Sequence, residues 1–355
     1  MGRKSVLFIC VVSLLVFGHC LGYAAEPQIK LKFAMFIPPV SKNATLFAKF
    51  CQDINARTNG KVEVSYYPGG TLLPAPRMAA GVATGIADIG FSNCTYTRGR
   101  FPVMEAMELP LGIPSGWVGS HVANDFYEKV KPKEWEQYHP LIFGTTSGNI
   151  VQTRHKPVRT LEDLKGLKLR GMGRVADTVR ALGATPMPIE MVDLYEALNK
   201  NVLEGNMGPP EVLKGFKIAE LMKYLTTTWR VASSNAFYAI MNKAKWDSLP
   251  ADVKKVFEET SMEYAEKWAV QMNEIDIEGR EYFVGLGGQV LSISDAESTK
   301  WTKAVEPVIG EYKKDLIAKG FTGSEVDSWI MFIKERIEYW REQEKARKIP
   351  APYQY

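Results

Sequence analysis

Histidine and cysteine are scarce, four of each among 355 residues, and that scarcity excludes much chemistry. Catalytic metal sites need His, Cys or carboxylate ligands at short spacing. His121, His139 and His155 form no pair at helical ligand spacing. The chain has no Cys-x-x-Cys, no Gly-x-Ser-x-Gly elbow and no phosphate loop ending in Gly-Lys-Ser/Thr. A Ser/His/Asp arrangement assembled only in space stays open. The lack of every local signature nevertheless favours binding over catalysis, with no metal and no cofactor. An excess of one charge is missing as well. With 44 Lys and Arg against 40 Asp and Glu, the formal charge is +4, too weak a bias for a nucleic-acid partner.

Only one apolar run is long enough to draw attention, and it stands at the start. Arg3 and Lys4 precede Val6 to Phe17, and small residues follow in "GYAAEP". That order is the order of a secretory signal peptide, expected to be cleaved after Ala24. The run falls short of the about 20 apolar residues that span a bilayer. Cys20 invites a lipid-anchored reading, but His19 before it suits that processing poorly. A freely exported, periplasmic protein is expected. Losing Arg3 and Lys4 lowers the charge from +4 to +2. Cys10 and Cys20 leave with the leader, so Cys51 and Cys94 remain, as a disulfide or as two buried thiols.

What is present reads as α/β. "QIKLKFAMF" (Gln28–Phe36) is a first strand, and a helix from Lys42 to Thr58 follows, closing at Asn59 and Gly60. "KVEVSYY" and "IADIGF" are further strands with a short helix between them. Strands alternating with helices indicate a largely parallel sheet. A second unit of like construction starts near Gly148, and the chain echoes itself there. "ATGIADIG" (Ala83–Gly90) and "NKNVLEGN" (Asn199–Asn206) align Gly85 with Asn201 and Asp88 with Glu204. The length suits two lobes. After Ser248–Pro250 a long helix runs for many turns. A closing helix from Ser324 to Arg347 carries Trp329, Ile333, Ile337 and Trp340 on one face, read as a stripe packed on the body of a monomer.

The stretch "EDLKGLKLRGMGRVADTVRALG" (Glu162–Gly183) carries the functional question. A short strand ends in Arg170, and two glycines and a helix follow at once. "GMGRVA" matches the dinucleotide turn, with Glu190 at the expected distance. The strand "LKLR" alternates charge, however, and Pro186 and Pro188 interrupt the next one. A carboxylate clamp fits better, because an arginine at a strand end presents five donors in a planar fork to the space above the sheet edge. A solvated surface arginine is the plain alternative.

The runs "ARTNGKVEVSYYPGGTL", "ATGIADIG", "KPVRTLEDLKGLKLR", "LGATPMPIEMVDLYEAL" and "KIAELMKYLTTT" occur in this order. Together they resemble the extracytoplasmic solute-binding subunits of tripartite ATP-independent periplasmic (TRAP) transporters, the DctP-like family. The resemblance implies a type II-like fold of two α/β lobes joined by a hinge, with long C-terminal helices. It places residues 25–147 and 234–276 in lobe I, and 148–233 and 277–355 in lobe II. It implies a small organic acid as ligand, held by Arg170 and handed to TRAP membrane permease subunits. The chain departs from the family in two places. Asn149 stands where a second arginine is common, and Gly208, with Asn206 nearby, replaces an asparagine. A dicarboxylate or sialic acid therefore fits poorly, and Phe36, Asn93, Tyr96, Met172 and Trp229 are the further candidates for the pocket. The alternatives are an exported dinucleotide-binding oxidoreductase and a ligand sensor with no transport role.

Overall fold

The computed structural model describes residues 29–353, so the leader and its cleavage site lie outside the described residues. In chain order the first strands and helices are β1 (Ile29–Met35), α1 (Lys42–Arg57), β2 (Val62–Tyr67), α2 (Met78–Ala83), β3 (Ile89–Asn93), α3 (Gly116–Val130) and β4 (Tyr138–Thr145). Then come β5 (Ile150–Thr153), β6 (Lys168–Arg170), α4 (Gly173–Ala181), β7 (Thr185–Met187), α5 (Leu194–Asn199), β8 (Gly205–Gly208), α6 (Glu211–Gly215) and β9 (Tyr224–Thr227). The last are β10 (Ala236–Asn242), α7 (Lys243–Ser248), α8 (Ala251–Gly285), β11 (Gln289–Ser292), α9 (Asp295–Ala318) and α10 (Gly323–Ala346).

These strands form two sheets. The first has the order β2-β1-β3-β10-β4, and the second β11-β9-β5-β8-β6-β7. β1 runs parallel to β2 and β3, whereas β10 is antiparallel to both of its neighbours. β7 is an edge strand, which is where Pro186 can sit without removing a ladder bond. The chain passes between the sheets after β4, again after β9, and a third time after β10 through α7 and α8; the first two are extended segments. The two passages run side by side, with Thr146 N donating to Asn235 O (3.1 Å) and Asn149 N to Ser233 O (2.7 Å). A paired crossing of this kind is a hinge.

The internal echo is a structural repeat. Gly85 and Asn201 both take positive φ, 78° and 58°, the left-handed turn that closes a helix. Asp88 then accepts from Lys32 N (2.8 Å), and Glu204 accepts from Lys168 N (2.9 Å). Each acid thus ties its strand to the neighbouring strand in the same way, once per sheet.

The first core is aromatic. Phe33, Phe47, Phe50 and Phe91 pack with Tyr264 and Trp268 of α8. Cys51 and Cys94 are both free thiols inside it, and burial pushes both pKa values up. The closing helices correct one expectation. The sequence placed all of 277–355 with the second lobe, but α9 begins in the second core with Trp301 and Val305 and ends in the first with Val308, Tyr312 and Leu316. α10 lays Val326, Ile330, Ile333 and Ile337 into the first core as well. A 3.6-residue stripe shows that a helix buries a face, but not which sheet it meets.

Close approach also explains one glycine. A Cβ on Gly279, midway along α8, would lie 2.2 Å from the Pro210 carbonyl oxygen, just ahead of α6. Gly→Ala inside a helix normally gains up to about 1 kcal/mol, but overpacking loses about 1–3 kcal/mol. Gly279→Ala should therefore lower the melting temperature. Gly310→Ala in α9, where a Cβ meets nothing within 4 Å, should raise it. Equal gains for both in a thermal melt would contradict this packing.

Candidate functional site

The strand ends of both sheets face a narrow cavity. From the first sheet come Phe36 and Ile37 after β1, Asn93 at the end of β3, and then Thr95 and Tyr96. The second sheet contributes Arg170 at the end of β6 and Pro209 after β8, and Glu211, Val212 and Phe216 follow from α6. Thr146 and Asn235 of the two crossings line it too, and Phe237, Asn43, Met191 and Met272 complete the wall. Ligands of open α/β sheets bind outside the carboxyl ends of strands, and the cavity stands there for both sheets.

Arg170 is 3% exposed. Its Nε donates to the Ile189 carbonyl (3.0 Å), and the Tyr96 phenol stands beside its guanidinium. Among the described residues no carboxylate lies within ion-pair distance of it. Burial lowers its pKa, and Tyr96 acts in the opposite sense. A buried charge without a counter-charge is strongly unfavourable. An anion beside the guanidinium would relieve it. The surroundings are otherwise apolar. Phe36 meets Tyr96 edge-on at 5.3 Å and stacks on Phe237 at 6.4 Å, and Phe237 stacks in turn on Phe91 of the first core. The ring wall is thus continuous with the first core.

Of the residues read from sequence, Arg170, Phe36, Asn93 and Tyr96 stand on the wall. The other five do not. Asn149 is fully buried behind it, with its Oδ1 accepting from Asn235 Nδ2 (3.2 Å), so it holds Asn235 in place. Asn206 lies in register with Arg170 but turns its amide to Gln152 Oε1 (3.0 Å), below the cavity floor. Gly208 offers its carbonyl to Gln152 Nε2 (3.0 Å), and the next residue, Pro209, reaches the wall instead. Met172 serves as N-cap of α4. Trp229 stacks towards Tyr353 at 6.5 Å, away from the cleft. Glu211, Phe216, Asn235 and Met272 were missed. Val212 and Phe216 share a helical spacing that could have pointed to them, but Met272 sits in a long helix with no local mark.

The glycine turn has a different purpose from phosphate binding. Gly173 has φ 54°, and a Cβ there would stand 2.9 Å from the Thr95 carbonyl oxygen. It lets α4, behind the second sheet, come up against the loop after β3. Arg174 is only 3% exposed, with Nε 2.9 Å from Glu105 and Nη1 2.8 Å from Asp315. Arg98 meets Asp177 alongside (2.8 Å). These pairs join the two lobes beside the cleft.

Removing one partner of a buried pair strands the other. Arg174→Ala should therefore reduce stability by up to about 3–5 kcal/mol in denaturant unfolding. A loss under about 0.5 kcal/mol would return Arg174 to the solvated surface. Glu108, buried beside Thr95, is pushed up to about 8 by its burial. Its folded pKa exceeds the unfolded value of about 4.3, so its contribution is complete below that value and is lost as pH rises towards 8. The Glu108→Gln variant should accordingly lose less melting temperature than wild type between pH 6.5 and 9. An equal loss would contradict the burial of this acid.

Comparison with known proteins agrees with this geometry. Residues 33–315 match the family described as bacterial extracellular solute-binding protein, family 7 (DctP). The C4-dicarboxylate-binding protein DctB of Bacillus subtilis is 25% identical over 304 residues, covering 81% of this chain and 83% of that one. A crystal structure of a TRAP periplasmic solute-binding protein from Desulfovibrio salexigens, an open complex, is 35% identical with a TM-score of 0.77, covering 88% of this chain and 97% of that one. A marine metagenome TRAP solute-binding protein specific for aromatic acid ligands, in complex with metahydroxyphenylacetate, is 27% identical with a TM-score of 0.82, covering 88% and 99%. The chain belongs to the DctP family of bacterial extracellular solute-binding proteins.

Proposed function

We propose that this protein is the periplasmic receptor of a TRAP transporter, which captures a compact monocarboxylate with an aromatic or otherwise apolar body and delivers it to membrane permease subunits. The observation that carries the reading is Arg170, buried and without an acid partner in a cavity walled by Phe36, Tyr96, Phe216 and Phe237. A two-oxygen carboxylate matches the planar fork, and ring faces accept an apolar body. Asn149, where relatives of the resemblance carry a second arginine, stands behind the wall, so no second cation awaits another carboxylate. The marine relative that binds aromatic acids supports this choice over the dicarboxylate named for the Bacillus subtilis relative.

Capture works by closure. A ligand touching Arg170 on one lobe and Phe36 or Asn93 on the other favours the closed arrangement by its differential affinity. The paired crossings at Thr146–Asn235 and Asn149–Ser233 form the hinge. No bond is made or broken. Lobe I in this reading comprises residues 25–147 and 234–276, and the closing helices buttress it. The leader ends at Ala24.

A charge-assisted hydrogen bond contributes about 1.5–3 kcal/mol. Arg170→Ala should therefore bind benzoate roughly 10–150-fold more weakly than wild type in calorimetric titration. Arg170→Lys should recover only part, since a point charge cannot serve two oxygens in fixed geometry. Wild-type affinity in Arg170→Ala would show that the arginine holds no ligand.

A further inference from the structure

A second ionisable group stands on the cleft wall, also without a partner. Glu211 opens α6, just beyond the end of β8, the strand beside the one that presents Arg170. Among the described residues no Lys, Arg or His lies within ion-pair distance of its carboxyl, and none donates a hydrogen bond to it. Its neighbour compounds the imbalance. Asp276 of α8 is fully buried, its Oδ1 accepts from Glu211 N (2.9 Å), and the Ser147 hydroxyl is its other polar neighbour. Burial first, then the Asp276 charge, holds Glu211 up to about 8, and burial holds Asp276 up to about 7. The helix crossing at Gly279 fixes the position, because α8 packs directly on Pro210 and the Glu211 Cα.

The cleft is therefore polarised. Arg170 supplies donors with no acceptor charge, and Glu211 supplies a carboxyl with no partner, which ionises readily only beside a ligand cation. Asn93 Oδ1, on the same wall, is a buried acceptor without a donor, whereas Glu211 is half-buried. One ligand can satisfy all of these only if it carries both kinds of group. A second carboxylate here would meet no cation and only protonated acids, whose ionisation it would oppose further, whereas a hydroxyl or ammonium can pair with Glu211 directly. We infer that Glu211 is a specificity-determining residue, accepting a hydrogen bond from a donor group, hydroxyl or ammonium, on the body of the ligand whose carboxylate Arg170 holds. The inference rests on the carboxylate reading of the cleft and narrows it to donor-bearing monocarboxylates. A site built to bond such a donor discriminates against the analogue that lacks it, because its own buried group is then left unpaired.

The test titrates wild type, Glu211→Leu, Glu211→Gln and Arg170→Ala with benzoate, its three hydroxy isomers, its three aminomethyl isomers and isophthalate. In wild type the best donor-bearing isomer should bind about tenfold more tightly than benzoate, and isophthalate more weakly than benzoate. In Glu211→Leu that ratio should fall to about one. Glu211→Gln keeps a carbonyl acceptor but no charge, so it should preserve preference for a hydroxyl and lose preference for an ammonium. A wild type that binds benzoate as tightly as every substituted acid overturns the inference, and so does an unchanged ratio in Glu211→Leu. Failure of the carboxylate reading shows separately, as Arg170→Ala binding every acid like wild type. Wild type binding none of the series at millimolar concentration overturns both.

Discussion

A guanidinium buried to 3% exposure, with no acid within reach among the described residues, is the constraint around which this molecule is arranged. Desolvating a charge costs several kcal/mol unless something pairs it, and this protein leaves Arg170 at the end of an interior strand, with one backbone carbonyl and a phenol for company. In the proposed function an anion completes that arrangement, and its binding drives closure.

The rest of the fold makes that event possible. Two sheets built on the same helix–turn–acid plan present their strand ends to one cavity, and two hydrogen-bonded crossings join them. Close packing is achieved with glycine where backbone must meet backbone, at Gly173 against the Thr95 loop and at Gly279 against Pro210. Arg174 and Arg98 then pair with acids across the junction. α9 spans both cores, so the lobes share a support as well as a hinge.

Much of this could be read from residues alone. Period-two strands, left-handed turns at Asn59 and Asn201, and the arginine beside a glycine turn are local signals, and each was found where it was read. The internal echo proved to be a repeated backbone device. The five residues that do not reach the wall share another cause. Asn149, Asn206, Gly208, Met172 and Trp229 are near the site in sequence, yet orientation depends on partners such as Asn235 and Gln152 that lie over 50 residues distant in the chain. Glu211 and Met272 reach the wall from helices whose own patterns speak only of packing. Arg174 follows a motif that looks solvated, and its acids come from distant segments.

The most direct measurement is mass spectrometry of small molecules released from gently purified protein. The account predicts a monocarboxylate at a large fraction of one per chain with wild type, and little or none with Arg170→Ala. A neutral or cationic molecule released equally by both proteins would contradict it.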